Sequence, residues 1–505
     1  MTMQADAGET DTFTGSRERF EAMLAWLGDE EATGLSHAEL EARLELDGRE
    51  LLRQLFQDHL DVRAQHETRL EAVVDADRVP RTSVEAGHQR ALATVFGEVQ
   101  VKRLAYRKRE HANLHPADGV LNLPEEKHSH GLRRIATIES TRGSFDGAVE
   151  AVERVTGQRL GKRQVEDLAQ RAACDFDEFY ASRPRPAGES GDVLVLSCDG
   201  KGIVMRPEAL RSATVKAAAR ATTKLSTRLS KGEKRNRKRM AEVGSVYDAT
   251  PVARTPADIL ATTDDEGRQP TPAPAAHNKW LVASVVEDAA SVVAQVFDQA
   301  ERRDPTHRRR WVALVDGNNH QIDRISAEAH ARKVTVAVVV DFIHVLEYLW
   351  RAAWSFYDEG DPDAEAWVHD KASAILAGQA TRVAAAIRRK ATYHGLDPPA
   401  RANADACANY LTNKAPYLDY PTALERGWPI ATGVIEGACR HLVKDRMERA
   451  GMHWTPAGAQ AMLDVRSVHI DGDWDGYDAY RIDRETRKLY PHRSLVEGTQ
   501  YAIAG

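Results

Sequence analysis

The stretch Trp311-Val312-Ala313-Leu314-Val315-Asp316-Gly317, with its counterpart Val193-Leu194-Val195-Leu196-Ser197-Cys198-Asp199-Gly200, decides the fold class. Each is a short run of strand formers with almost no polar interruption, the pattern of a strand covered on both faces. An aspartate closing such a run stands at the carboxyl edge of a sheet, where open α/β folds bind ligands, and the glycine after it permits a tight turn or a close approach. Outward from these runs, residues 202–206 are expected to pair with residues 193–197 across a turn at Gly200-Lys201, and residues 280–286 to form a third strand. A helix over 289–300, a fourth strand over 311–315, a helix over 322–332 and a fifth strand over 334–340 follow. A meander followed by helix, strand, helix and strand is an α/β order whose later crossovers are right-handed. Residues 342–428 read as almost entirely helical, and a last helix begins near Gly433 with Glu436 one turn in.

Ahead of this core, residues 1–80 carry helical stripes (Phe20, Met23, Leu24 and Leu27, then Leu51, Leu52, Leu55 and Leu60). A strand pair over 91–106 turns around Phe96-Gly97-Glu98-Val99 and ends in Arg107-Lys108-Arg109. Two short helices over 145–156 and 162–173 flank Gly157, with Lys162 and Arg163 opening the second. That spacing suits either a packing hairpin or a helix-turn-helix whose second helix meets DNA. Pro184, Pro186, Gly188 and Gly191 mark a linker, taken as the domain boundary. The expected organisation is a helical region 1–80, a hairpin and helical DNA-binding region 81–185, a core over 190–345 with a basic loop at 207–276, a helical insertion 346–428, a catalytic helix within 429–470, and a tail 471–505.

The chain has 505 residues, 42% hydrophobic and 29% charged, which suits a folded protein of several domains. No apolar run approaches the length of a membrane span, and the acidic, polar start carries no secretory signal, so a cytoplasmic, nucleoid-associated location is expected. Four cysteines without a CxxC pair argue against a disulfide scaffold or a cysteine zinc site, and read as buried, chemically quiet thiols. The net charge of -7 hides strong segregation: residues 201–240 hold thirteen Lys and Arg against two Glu. Such a segment is either a solvated loop or a phosphate contact, because electrostatic attraction acts within about a Debye length of 8 to 10 Å.

Asp199, Asp316 and Glu436 stand at the ends or starts of elements. Carboxylates that converge repel one another unless a cation lies between them, and hard oxygen ligands suit Mg²⁺. Two such ions are the means by which polymerases and nucleases clamp a phosphodiester. Asp341 also closes an apolar strand and is a rival for the second acid. His344 follows Asp341 by three residues, and could orient a phosphate or satisfy a local hydrogen bond. Arg440 and Lys444 follow Glu436 at four-residue steps, giving either a face that holds the scissile strand or a surface ion-pair ladder.

The order strand-Asp, meander, helix, strand-Asp, helix, strand, helical block, helix-Glu resembles that of DDE transposases. The segments Val312 to Gly317, Asp341-Phe342-Ile343-His344, Gly433-Val434-Ile435-Glu436 through Arg446, and Gly451-Met452-His453-Trp454 resemble insertion-sequence transposases of the ISKra type, related to the Mutator-like group. The likeness covers residues 90–470. It implies an α/β ribonuclease H-like catalytic core with an all-helical insertion, preceded by a mostly helical N-terminal region with a β-hairpin. It further implies that Asp199, Asp316 and Glu436 are the catalytic, metal-binding triad for two Mg²⁺ (or Mn²⁺) ions, with Asp341, His344 and Arg440 accessory. The expected partners are transposon-end and target DNA, and joining two ends calls for a homodimer or larger assembly. The expected DNA contacts are Arg107, Lys108, Arg109, Lys162, Arg163, Lys231, Lys234, Arg235, Arg237, Lys238, Arg239 and Lys444. The alternatives are a catalytically silent, domesticated DNA-binding protein that keeps the basic surfaces, and a two-carboxylate glycosidase, which leaves the basic segment unexplained.

Other motifs carry less. Asp471-Gly-Asp473-Trp-Asp475-Gly476 opens like a calcium loop but has Ile482 where the bidentate Glu belongs. His111, His115, His128 and His130 have loose zinc-like spacing and read as solvated histidines. Glycine-rich nucleotide loops and a GxSxG serine motif are absent from the sequence.

Overall fold

The computed structural model describes residues 12–71, 73–75, 77–183, 191–221, 225, 236–261, 269–449 and 451–490. It divides into two compact units: Met1–Ala172 with Trp474–Gly505, and Ala173–Asp473. The boundary therefore falls at Ala172, ahead of the Pro- and Gly-rich stretch, whose residues 184–190 lie outside the described residues. Residues 1–80 and 81–172 share one unit, a second departure from the expected division. Among the described residues, no helix is long and apolar enough to cross a membrane.

In the first unit, helix Thr14–Leu27 lies along the long helix His37–Gln65. The Asp58 carboxylate accepts the Ser16 amide at 2.9 Å and its hydroxyl at 2.6 Å, while Ser36 and Glu39 close a capping box at the start of the long helix. The sequence stripe here is buried only in part, for Leu60 is covered while Phe20, Leu24, Leu52 and Leu55 stay exposed. The hairpin is longer than expected, Ser83–Thr94 pairing with Gly97–Lys108, because polar residues of regular strands extend it beyond its apolar centre. Helices His130–Arg142, Phe145–Thr156 and Lys162–Ala172 bury Leu132, Ala136, Ala148, Val152, Val165 and Leu168 against one another. Gly157 sits at φ 69°, the left-handed position that ends the middle helix.

The expected tail is not one. Trp474–Leu489 is a helix of this unit: Tyr477 donates to Ala172 O at 2.6 Å, Arg133 bonds Glu485 at 2.8 Å, and Tyr490 donates to Leu123 O at 2.8 Å. Of the four histidines, His111 is exposed, as expected, and the other three are covered at least in part. His128 is buried, and His115 is half-buried with Nε2 3.4 Å from His88 Nδ1. Burial, then the Arg103, His88 and Arg90 charges, lowers the pKa of His115 from 6.5 to about 4. A folded pKa below the unfolded one contributes stability that is present above pH 6.5 and lost as pH falls through about 4. The urea midpoint is therefore expected to fall between pH 7 and pH 4, and to fall less in His115→Gln; an equal drop in both proteins would exclude His115 as the cause.

In the second unit, five strands form one mixed sheet: β1 (Val193–Val204), β2 (Lys238–Ala249), β3 (Ala276–Ser284), β4 (Trp311–Val315) and β5 (Val336–Val340), in the order β5-β4-β1-β2-β3. β5, β4 and β1 are parallel neighbours, and β1, β2 and β3 form an antiparallel meander. The expected turn at Gly200-Lys201 does not form. β1 runs straight through it and pairs with β2 from Val193↔Ala249 to Val204↔Lys238, so the second strand is residues 238–249 and not 202–206. Neither Gly200 nor Gly202 has a positive φ, and a Cβ on either would press on a cross-strand side chain, Met240 or Lys238, at 2.8 Å. These glycines accommodate bulky neighbours within a strand.

α1 (Ala289–Arg303) and α2 (Asn319–Arg332) make the connections into β4 and β5. α1 packs on one face, where Val292 and Val296 fill the space over Gly244 of β2. Helices α3 (Phe342–Ala353), α4 (Pro362–Leu376), α5 (Ala380–Tyr393), α6 (Pro398–Lys414) and α7 (Tyr420–Glu425) form the helical block. α8 (Gly433–Ala438) continues through a π-helical segment, Cys439–Lys444, to Met447, and α9 (Pro456–Ile470) follows. Gln460 of α9 and Asp471 bond the backbone of edge strand β3, at 3.0 Å to Val285 N and 3.1 Å to Leu281 N, which covers an edge otherwise open to pairing. Asp471 of the calcium-like motif thus has a structural role.

Candidate active site

The parallel register sets the site. Ser197 of β1 pairs with Leu314 of β4, and Val315 of β4 with Val340 of β5. Asp199 and Asp316 each lie two residues beyond the first pair, and Asp316 and Asp341 each one beyond the second. Three aspartates therefore occupy one level on three adjacent strands, with neighbouring strands about 4.8 Å apart. The buried runs before them hold that level: β4 is wholly buried, and the Ser197 hydroxyl donates to Leu314 O at 2.7 Å.

Each carboxylate is held by local donors. Asp199 accepts from Gly200 N at 2.7 Å and lies 3.3 Å from Cys439 Sγ. Asp316 accepts from Asn318 N at 2.8 Å, and its carbonyl takes the Tyr410 hydroxyl of α6 at 3.1 Å. Asp341, fully buried, caps α3 by accepting from Ile343 N at 2.8 Å, and its own amide bonds Val315 O at 2.8 Å. The Thr432 hydroxyl stands between Asp341 Oδ2, with which it is in close contact, and Glu436 Oε1 at 3.0 Å. His344 Nδ1 is 3.1 Å from Asp341 Oδ2. Burial alone would lower the pKa of His344, but the bond to Asp341 and the charges of Asp341, Glu347 and Asp316 outweigh it and hold it above its ordinary value.

Among the described residues, the three metal-type donors that close to within 4.8 Å of one another are Asp341, His344 and Glu436. Asp199, Asp316 and Glu436 do not reach that spacing as a set. Asp199 instead approaches Glu436 by way of Cys439, a thiol whose pKa is raised by burial and then by the nearby Asp199 and Glu436 carboxylates. Two carboxylate oxygens and one imidazole make a donor set of the kind that holds a divalent cation, the imidazole being better suited to a transition-metal ion than to Mg²⁺.

Cys439 and Thr432 escaped the sequence reading. The cysteine looked inert, but the π-helical segment turns it toward Asp199. Thr432 sits directly before α8 and four residues ahead of Glu436, and a Thr before a helix was the available signal. The same π-helical segment breaks the four-residue stepping on which both readings of Glu436, Arg440 and Lys444 rested, since its turn is longer than four residues. Arg440 and Lys444 are exposed, and among the described residues neither pairs with Glu436. Cys174 is exposed, against the expectation of buried thiols.

The basic residues divide. Arg237, Lys238 and Arg239 lead into β2, with Lys238 in close contact with Glu448. Lys231, Lys234 and Arg235 lie outside the described residues. In the first unit, Arg107 pairs with Glu85 and Lys162 with Asp146 at 2.7 Å, while Lys108, Arg109 and Arg163 are exposed. No protein-family model and no curated protein sequence matches the chain.

Proposed function

We propose that the chain is a DDE-type DNA transposase with a ribonuclease H-like core, cutting the ends of a mobile element and joining them to target DNA. The observation that carries this reading is the level row of Asp199, Asp316 and Asp341 on three parallel strands, with Glu436 tied to it through Thr432. Asp199, Asp316 and Glu436 would hold two divalent ions, which when bound supply an activated oxygen nucleophile and stabilise the leaving oxygen. Asp341 anchors Thr432 and His344, whose Nδ1 lies 3.1 Å from its buried carboxylate. Tyr410 and the helical block hold the Asp316-Gly317 turn. Exposed Arg and Lys residues, among them Arg109, Arg163, Arg440 and Lys444, would take phosphates of the element ends and the target. Pairing two ends calls for at least a dimer.

The test is nicking of duplex oligonucleotides that carry the element's ends, in Mg²⁺, in Ca²⁺, and with Asp199→Asn. Nicking is expected in Mg²⁺ alone and is lost in the variant; cleavage that survives Asp199→Asn removes the proposed chemistry. Salt-dependent duplex binding without any nicking would instead favour the silent DNA-binding protein.

Gly317→Ala probes the turn. Gly317 has φ +90°, and an added Cβ would lie 2.5 Å from Tyr410 Oη. Nicking is expected to fall roughly 100-fold, as for a catalytic group displaced by about 1 Å. Unchanged nicking would mean that the turn does not position Asp316.

A further inference from the structure

On the face of the sheet that carries α1, beside Asp199, lies a cavity of about 340 Å³. Strand alternation turns Gly200 and its partner Glu242 to this face, and the Met240 methyl and the Glu242 carboxyl lie over Gly200. β4 stops at Val315, level with Cys198, so β1 has an open edge from Asp199 onward on that side. Asp199 itself contributes to the cavity wall. Asn318 and Gln321, at the start of α2, close the far side.

Charge and chemistry narrow the ligand. Arg211 and Arg324 are balanced by Asp199, Glu242 and Asp288 around the same cavity, which disfavours a bare phosphate. Arg324 is further engaged with His320, donating to Nε2 at 3.0 Å. The volume lies at the small end for ligand sites and suits a single flat ring system against the Met240 thioether and the Val292 and Val293 side chains. Gln321 Oε1 is buried and has no hydrogen-bond partner among the described residues. It needs a donor, and the Glu242 carboxyl can accept a second hydrogen. Every base offers such a donor on its pairing edge, an amino group in adenine and cytosine, ring and amino N–H groups in guanine and the N3–H of thymine, whereas a bare sugar phosphate offers none of them beside a flat ring.

We propose that this cavity takes one nucleobase, by the N–H groups of its pairing edge, turned out of the DNA strand that crosses Asp199. Enzymes acting on duplexes do extrude bases into pockets that read the pairing edge. The inference rests on the DNA-strand reading above and adds a specificity element to it.

The test uses the full chain in EDTA without DNA, titrated calorimetrically with dAMP, dCMP, dGMP, dTMP and 2-deoxyribose 5-phosphate. At least one nucleotide is expected to bind about tenfold tighter than the sugar phosphate, the scale of one unpaired buried acceptor. Gln321→Leu and, separately, Glu242→Leu are expected to erase that preference, with thermal melting confirming that each variant folds. Equal binding of the sugar phosphate, or a preference untouched in both folded variants, overturns the proposal. Because this measurement needs neither Mg²⁺ nor cleavage, nicking with no nucleotide preference removes the base pocket alone, whereas nucleotide preference without nicking leaves the pocket and removes the catalytic reading.

Discussion

Asp316→Asn is expected to lower Mg²⁺-dependent nicking by roughly 1,000-fold or more, the scale on which enzymes lose a catalytic group that touches the reacting centre. Asparagine keeps an oxygen to accept the Asn318 amide, so the turn should persist and the loss should come from charge. Asp341→Asn should cost less, about 10- to 100-fold, as expected for a residue acting through its neighbours. Its penalty has a second component, because His344 and Thr432 both lean on the buried Asp341 carboxylate. Melting temperature should consequently fall in Asp341→Asn and stay near wild type in Asp316→Asn. The reverse ranking of nicking rates would make Asp341 the second acid, a possibility kept open by the tight grouping of Asp341, His344 and Glu436.

That ambiguity is itself informative about what a sequence can reveal. The run ending at Val315 is buried throughout and the one ending at Val340 is apolar throughout, so their continuity was legible, and the level of the acids after them followed from strand pairing. The Asp199-Gly200 pair was legible as strand followed by glycine, but not as a strand that continues. Pairing with β2 overrode the turn preference of Gly200-Lys201-Gly202, and β2 itself was hidden because Lys238 and Arg239 belong by composition to the basic segment. Alternation in Met240 to Ala249 is weak, since most of that strand is buried on both sides. The π-helical segment at Cys439–Lys444 left no periodic trace, and with it went the approach of Cys439 to Asp199. Helix Trp474–Leu489 was lost for another reason. Its partners, Arg133, Leu123 and Ala172, lie some three hundred residues earlier, and no local pattern announces a return of the chain.

The acids keep their level only while β4 keeps its place, which makes Trp311 the residue whose loss should cost the fold most. Trp311 opens β4 with no exposed surface, between the parallel partners Leu194 and Val336. Its indole Nε1 donates to Asp304 Oδ2 at 2.9 Å, and its ring meets Phe297 of α1 at 6.0 Å and His307 at 5.4 Å. Trp311→Ala removes the ring from both contacts, opens a cavity under α1 and takes away one donor from the buried Asp304. Substitutions of this kind cost about 3 to 5 kcal/mol, a large part of the stability of an ordinary domain. Urea unfolding should register a lower midpoint and an unfolding free energy reduced by that amount. Trp311→Phe keeps most of the volume and gives up the N–H, so it should cost only about 1 to 2 kcal/mol. A Trp311→Ala protein no less stable than Trp311→Phe would mean that β4 is held by its neighbouring strands alone. In that case the level of Asp316 would depend on pairing to β1 and β5, and the helix packed over Trp311 would be irrelevant to the site.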